Sequence, residues 1–325
     1  MKSKLVVTGG AGFIGSHLVE KFLLDGYAVI SIDNLSTGKI DNLNPVKNLK
    51  SFEFVRGSIL DENLISRLIK DSDGCIHLGA ALGVKQILSH PYISLTTNIR
   101  GTENVIQACS RYGRPLFLAS TSEIYGKNAI QPLTEESDRV IGSPQKLRWA
   151  YSEAKALDET IAEMFRLSAD LKYTIGRFFN TVGPRQTGAY GMVLPRFVQA
   201  ALSGESLEVY GDGKQTRVFC HINDAVRGIV SLYQSEEFYG QAFNIGGEGE
   251  ISIAELAERV IRLSGSKSKI RFVPYSEAYA AGFEETFRRV PDTTKLRKAI
   301  NWKPQFSLDD IILDVIKYFS SNGPL

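Results

Sequence analysis

Tyr151 and Lys155 stand four residues apart in the stretch AYSEAK (150–155), inside a segment, 145–169, whose pattern predicts a long helix. That spacing puts both side chains on one helical face. A free phenol ionises near pH ~10 and is a poor base at neutrality; lowering that by ~3 units takes ~4 kcal/mol of differential stabilisation. One positive charge ~4 Å away in a partly buried site supplies about that much at an effective dielectric near ~20. Lys155 is one such charge. The structural alternative for a lone Tyr-x-x-x-Lys is a tyrosine snorkelling beside a surface lysine. Thr121 argues against it: in STSEIYG (120–126), directly after the apolar PLFLA, it falls at the carboxyl edge of a predicted strand, where open α/β sheets place ligands.

A second constellation lies at the start of the chain. TGGAGFIG (8–15) follows the apolar KLVVT and opens an amphipathic segment. Gly10, Gly12 and Gly15 fit G-x-G-x-x-G, and Gly9, Gly12 and Gly15 fit T-G-x-x-G-x-x-G. Between a strand and a helix, glycines let backbone amides approach a pyrophosphate, and the helix N-terminus offers unpaired N–H groups and a positive dipole end. Asp33 in SIDN ends the second predicted strand, where a carboxylate would hydrogen-bond ribose hydroxyls and repel a 2′-phosphate. With Asn34 and Leu35 bringing no arginine, NAD is favoured over NADP. A glycine turn and helix cap without a ligand is the structural alternative.

The elements that must position these residues alternate. KLVVT, YAVISI, FEFVR, GCIHL, PLFLAS and YTIGRFF read as strands, and 12–25, 59–71, 91–112 and 145–169 as helices between them. That rhythm predicts a parallel sheet with crossover helices. After residue 180 the rhythm loosens into loops, with helices expected at 193–203, 223–234, 252–265 and 308–320. The fold class expected is α/β: a doubly wound parallel sheet with a smaller C-terminal substrate-binding α/β domain. The expected division is 1–180 with 217–245 for the cofactor domain, and 181–216 with 246–325 for the other.

Composition bounds the function classes. The 325 residues are 43% hydrophobic and 23% charged, with a formal charge of +2. So slight a charge gives no electrostatic reason to expect nucleic acid or an anionic membrane as partner. No apolar run approaches the ~20 residues of a spanning helix, and the early glycines do not suit a secretory leader. Cys75, Cys109 and Cys220 are widely separated, without a C-x-x-C pair, so no disulfide framework or metal site is expected. Three buried thiols in a reducing cytoplasm is the expectation. His17, His77, His90 and His221 show no ligand spacing, and packing or hydrogen-bonding roles are expected of them.

The glycine loop, Thr121, Tyr151 and Lys155 together resemble the extended short-chain dehydrogenase/reductases, and nearest among them the nucleotide-sugar epimerases, dehydratases and decarboxylases. DNLSTG, NIRGTENV, YSEAK, FFNTVGPR, QTRVF and RRVPD carry the resemblance nearly end to end. It implies a Rossmann fold and a homodimer built through the helices at 91–112 and 145–169. It implies NAD held by Gly9, Gly12, Phe13, Ile14, Gly15, Asp33, Asn34, Ser36, Thr37, Gly38, Ser58, Ile59, Leu78, Ala80, Tyr151 and Lys155. Ser58 stands where the family usually has an acidic residue reaching adenine, which weakens that contact. Asn98 would support the active-site helix. By the same resemblance, Tyr151 removes the proton of a sugar hydroxyl that Thr121 holds, and Lys155 holds the nicotinamide ribose.

For substrate, the resemblance implies a UDP-sugar touched by Thr121, Ser122, Asn180, Arg185, Tyr210, Arg217 and Arg289. Arg217 and Arg289 would clamp the diphosphate through their planar, paired donors, Tyr210 would pack by the uracil, and Arg185 would grip a substrate carboxylate. Ion pairs between the two domains, or within the loop for Arg185, are the alternatives. The implied reactions all begin by oxidising carbon 4. In the slot after Thr121 a 4,6-dehydratase carries Asp then Glu; here it holds Ser122 and Glu123, which disfavours dehydration. Thr-Ser-Glu resembles the UDP-glucuronate decarboxylases, whereas RWAYSEAK and NTVGPRQTGAYGMVLPRF look closer to UDP-glucose and UDP-glucuronate 4-epimerases. The expectation is therefore a 4-epimerase working through a transient 4-keto sugar, with Glu123 only binding sugar hydroxyls. The alternative is a UDP-glucuronate decarboxylase with Glu123 and Arg289 in the chemistry, followed by a dehydratase or a non-catalytic NAD sensor.

Overall fold

The computed structural model describes residues 3–81, 91–188, 192–278, 284 and 286–322. Its six first strands are β1 (Lys4–Thr8), β2 (Ala28–Asp33), β3 (Phe52–Arg56), β4 (Gly74–His77), β5 (Leu116–Thr121) and β6 (Tyr173–Phe178). Short strands follow: β7 (Thr181–Val182), β8 (Leu207–Tyr210), β9 (Thr216–Val218) and β10 (Cys220–His221), then β11 (Gln241–Ile245), β12 (Glu250–Ser252) and β13 (Ile270–Val273). Seven of them form one parallel sheet in the order β11-β6-β5-β4-β1-β2-β3. The winding reverses between β1 and β4, so the crevice at their carboxyl ends is the topological switch point, where such sheets bind ligands.

The strands are apolar on both faces because both are covered. Leu5 and Val7 of β1 join one core and Val6 the other, the period-two alternation of a strand buried on each side. The first core takes Leu18 and Phe22 of α1 (Phe13–Leu24) and, skipping far along the chain, Ile229 of α6 (Ile222–Tyr233). The second takes Ile65 of α2 (Glu62–Lys70), Val105 of α3 (Pro91–Arg111) and Ala162 of α4 (Ala150–Ala169). A third core joins Phe197 of α5 (Val193–Leu202), Val209 of β8, and Leu256 and Val260 of α7 (Ile253–Ser264). To these it adds Ile312 and Val315 of α10 (Leu308–Asn322), the last helix after the short α8 (Tyr275–Ala278) and α9 (Thr294–Ile300).

The doubly wound parallel sheet expected from the sequence is present. Two helix starts differ from expectation. The second helix begins at residue 62, because Asp61 accepts from the Leu64 amide at 3.0 Å and caps it there, while Ser58 to Asp61 form a turn. The segment before Tyr151 is a 3₁₀ turn at Leu147–Trp149 rather than helix from 145. Cys75, Cys109 and Cys220 are buried, free thiols. Among the described residues no helix is long and apolar enough to cross a membrane.

Glycine is required at the β1–α1 junction. Gly9 has φ +69° and lies against Gly79, whose amide would be 2.9 Å from an added Cβ. Gly15 lies so close to the loop that a Cβ would come 2.1 Å from the Gly9 carbonyl oxygen. That contact sets how near α1 comes to the strand end. Gly15→Ala is accordingly expected to cost at least ~2 kcal/mol of stability through overpacking, read as a lowered midpoint in urea denaturation with an unchanged slope; a midpoint equal to wild type would contradict it.

Candidate active site

One cleft of about 590 Å³ runs over the carboxyl edge of the sheet. Every residue expected to act in the chemistry or to bind cofactor or substrate lines it except Gly38 and Ser58. Ser58 spends its hydroxyl accepting from the Leu60 amide in its own turn, and the wall there is made by Gly57 and Ile59 instead. Gly38 acts from behind: a Cβ on it would sit 2.9 Å from the Asp33 Oδ2 atom. Asp33 ends β2 and accepts from the amides of Ala11 (3.1 Å) and Leu35 (2.8 Å), which fixes its carboxylate beside the glycine loop. Burial raises its pKa and those two amides oppose the rise.

This end of the cleft fits a dinucleotide. No side chain caps α1 and its first turn holds no acidic residue, so the backbone donors at its N-terminus face the cleft uncompeted. Gly9 and Gly15 pack against backbone too closely for any side chain, which draws the start of α1 up to the strand end. Asn98 of α3 ties down the neighbouring wall, accepting from the Ala81 amide at 2.7 Å and donating to its carbonyl at 2.9 Å. It thus clamps the segment after β4 rather than α4. Histidines take the hydrogen-bonding roles expected of them: His17 donates through Nδ1 to the Phe13 carbonyl, and His221 caps α6 and meets Asp314. His90 lies outside the described residues. No group of three His, Cys, Asp or Glu residues able to hold a metal is present among the described residues.

At the catalytic end, Thr121 ends β5, and its Oγ1 accepts from the Glu123 amide at 3.2 Å, leaving the hydroxyl proton for a ligand. Tyr151 and Lys155 both reach the cleft from α4. The expected tuning of one by the other is not found in the ligand-free chain. Lys155 is buried and donates to Asp158 Oδ2 at 3.1 Å, and no hydrogen bond joins it to Tyr151 among the described residues. Desolvation raises the Tyr151 pKa well above the usual phenol value, and the charges of Glu123 and Asp158 raise it further. All three influences favour the neutral phenol, and Asp158, which the sequence reading did not single out, is also the carboxylate that holds Lys155.

The sugar end holds a second departure. Arg289 was expected on a diphosphate, yet it is 6% exposed and its Nη1 pairs with Glu123 Oε1 at 2.6 Å. Arg148, not singled out from the sequence, pairs with Glu123 Oε2, also at 2.6 Å. Burial alone would raise the Glu123 pKa, but Arg289 and Arg148 pull it down to about 2. Two buried guanidiniums thus converge on one carboxylate at the sugar end of the cleft. Arg185 forms an ion pair with Glu20 of α1 at 2.6 Å, a partner outside its own loop.

At the far end Arg217 lines the cleft, and Tyr210 does so with the Arg196 guanidinium 4.2 Å above its ring, so Arg196 shares the platform expected of Tyr210 alone. Asn180 gives its amide to the Val218 carbonyl at 3.0 Å. Arg288 points away and pairs with Glu250. Arg148 and Asp158 were legible only as helix-surface charges. Their signal is positional, three residues before the tyrosine and three after the lysine.

The Glu123 cluster makes stability sensitive to acid. Its folded pKa is depressed from 4.5 to about 2, so its contribution is present above pH 4.5 and is lost as pH falls through 2. Glu123→Gln should be less stable than wild type by about 3 kcal/mol at neutral pH, a gap that closes as pH falls from 4.5 towards 2. Urea titrations across that range check it, and a gap independent of pH would contradict it.

Comparison with known proteins agrees with this geometry. Residues 6–315 match the family model described as GDP-mannose 4,6 dehydratase. A UDP-N-acetyl-alpha-D-glucosaminuronate decarboxylase of Bacillus cytotoxicus is 40% identical over 320 residues, 98% of each chain. UDP-glucuronic acid decarboxylase 1 of Xenopus tropicalis is 34% identical over 98% of this chain and 72% of its own. Among solved structures, the UDP-glucose 4-epimerase of Thermotoga maritima with UDP-glucose superposes with a TM-score of 0.88 at 29% identity, covering 98% of this chain and 99% of that one. The UDP-glucuronic acid 4-epimerase of Bacillus cereus, solved with a 4-deoxy-4-fluoro analogue and NAD, gives 0.88 at 28% identity and the same coverage. With the glycine loop, Thr121, Tyr151 and Lys155 assembled in one cleft, the chain belongs to the GDP-mannose 4,6-dehydratase family, within the nucleotide-sugar branch of the extended short-chain dehydrogenase/reductases.

Proposed function

We propose that this chain is an NAD-dependent decarboxylase of a UDP-linked hexuronate, of the UDP-glucuronate or UDP-2-acetamido-glucuronate type. The observation that carries the reading is the pair of guanidiniums, Arg148 and Arg289, that line the cleft with Thr121 and both reach Glu123. Planar, paired donors of this kind suit a carboxylate. A uronate carboxylate entering beside them gains charge-assisted hydrogen bonds, whereas a neutral hexose does not. The decarboxylase names of the sequence relatives support the same choice, which was the second reading from sequence and not the first.

The chemistry follows from the residues. The glycine loop and Asp33 would hold NAD, which would supply reversible hydride acceptance at carbon 4. Thr121 holds the 4-oxygen, and Tyr151 in its ionised form receives the hydroxyl proton. With carbon 4 as a ketone, the carboxylate on carbon 5 is a β-keto acid. The bond from carbon 5 to carbon 6 then breaks, carbon dioxide leaves, and the electron pair passes into an enolate centred on the 4-oxygen. That enolate takes a proton from solvent at carbon 5 before carbon 4 is reduced again. No acid is needed to expel the leaving group, which suits a site with Ser122 where a dehydratase carries an aspartate. Arg148 and Arg289 hold the carboxylate near Glu123, whose negative charge favours its loss as neutral carbon dioxide.

Product analysis by NMR tests this. With UDP-glucuronate or its 2-acetamido counterpart the expected product is a UDP-pentose and carbon dioxide; an axial 4-hydroxyl with the carboxylate retained would mean a uronate epimerase instead. Tyr151→Phe should lose turnover by at least ~10²-fold and keep NAD, and near-normal turnover would remove it from the chemistry.

The helical faces of α3 and α4 expose Tyr92, Leu157, Met164 and Leu167. We propose that these pair across a homodimer, since an exposed apolar patch of this kind marks an association surface. Light scattering on wild type and on Met164→Asp with Leu167→Asp should give a dimer and a monomer respectively, and a monomeric wild type would contradict the pairing.

A further inference from the structure

We propose that Asp158 is a positioning residue for Lys155, and that a buried, one-way chain of hydrogen bonds from the glycine loop through Thr8, His77 and Thr102 sets where it holds the ammonium. The proposal rests on the role given to Tyr151 and Lys155 and not on which nucleotide sugar is consumed.

The direction of the chain is fixed by a group that can only accept. The Gly79 amide donates to Thr8 Oγ1 at 3.0 Å, and the Leu78 amide is shared between that oxygen and the Thr8 carbonyl, 3.2 Å from each. At the other end Asp158 can only accept, so Thr102 gives it its proton and His77 Nε2 must donate to Thr102. Nδ1 is left to accept the Thr8 proton, 2.7 Å away. The neutral ring therefore carries its hydrogen on Nε2, which donates to Thr102 Oγ1 at 3.0 Å. Thr102 in turn donates to Asp158 Oδ2 at 3.2 Å, and Lys155 Nζ reaches the same oxygen at 3.1 Å. Every member is buried: Thr8, His77, Thr102 and Asp158 are 0% exposed and Lys155 is 3%. Four elements are joined, since Thr8 ends β1, His77 ends β4, Thr102 lies in α3 and Lys155 with Asp158 in α4.

The consequence is pre-placement. A lysine has a long flexible stem, and holding its ammonium in one position has an entropic cost. Here a fixed carboxylate one turn along the same helix holds it, and that carboxylate is referenced to the residue directly before Gly9. The ammonium is thereby placed relative to the glycine loop before any ligand arrives, the condition under which positioning contributes most to rate. His77 has no room to act as an acid. A second proton would sit on Nδ1 facing an oxygen that already accepts from the Gly79 amide, and the charges nearest it, Lys155 and its partner Asp158, belong to the same chain. Burial, followed by the Lys155 charge, lowers its pKa well below the usual imidazole value.

Nitrogen-15 NMR of histidine-labelled, full-length, ligand-free protein reads the chain directly. The expected result is one His77 signal pair in the Nε2–H pattern, unchanged from about pH 5 to about pH 9; the Nδ1–H tautomer, or a titration in that window, would overturn the proposal. Kinetics supply the second arm. Asp158→Asn and Thr102→Val should lower kcat about 10- to 100-fold. KM should stay within about threefold of wild type, and Thr102→Ser, which keeps the hydroxyl, should restore kcat to within about threefold. Wild-type kcat in Thr102→Val, or equal losses in the serine and valine variants, would show that packing alone is at work. Should Asp158→Asn fail to fold, the serine and valine pair decides. The tautomer is read without substrate, so a protein that decarboxylates no uronate refutes the functional reading and leaves this test standing.

Discussion

A carboxylate shared by two buried guanidiniums organises the sugar end of this molecule. Glu123 is carried by the turn that follows β5, Arg148 by the turn that leads into α4, and Arg289 by the segment that returns across the sheet from the far end of the chain. None of the three could be buried alone, because an isolated charge in such a place costs several kcal/mol. Together they tie three distant stretches of sequence into one wall of the cleft. The convergence of two guanidiniums at the cleft is the property on which the proposed substrate depends, since a ligand with a carboxylate takes charge-assisted hydrogen bonds from them.

The same principle operates at Lys155. It is also a buried cation, held by Asp158, and what acts on Tyr151 is the combined influence of burial, Glu123 and Asp158, all of which keep the phenol protonated. Burial is the largest of the three influences, and the two carboxylates that hold the cations add to it.

Much of this was legible in the sequence. The parallel sheet followed from β-branched runs alternating with amphipathic ones, and the cofactor end from glycines whose need is confirmed by the 2.1 Å contact a Cβ at Gly15 would make. Thr121, Tyr151 and Lys155 meet in one cleft as the motif spacing required. What escaped were partners chosen by burial. Asp158 reads as one more acidic residue on an exposed helix, and Arg148 as a surface charge before an aromatic; only the folded chain puts each beside an opposite charge with no water to compete. Arg289 was singled out for a diphosphate and, under the decarboxylase alternative, for the chemistry beside Glu123; its ion pair with Glu123 places it where the alternative has it. β11 escaped as a strand of the main sheet for a related reason: its partner β6 lies more than 60 residues earlier, a pairing no local pattern announces.

The central claim is that the sugar subsite recognises a carboxylate. Calorimetric titration of the NAD-loaded Tyr151→Phe protein, in which turnover is suppressed, with UDP-glucuronate and with UDP-glucose measures this directly. The account predicts that the uronate binds at least about tenfold tighter, about 1.4 kcal/mol, and that Arg148→Met abolishes the difference. Equal affinity for the two nucleotide sugars, or a preference for the neutral one, would contradict it.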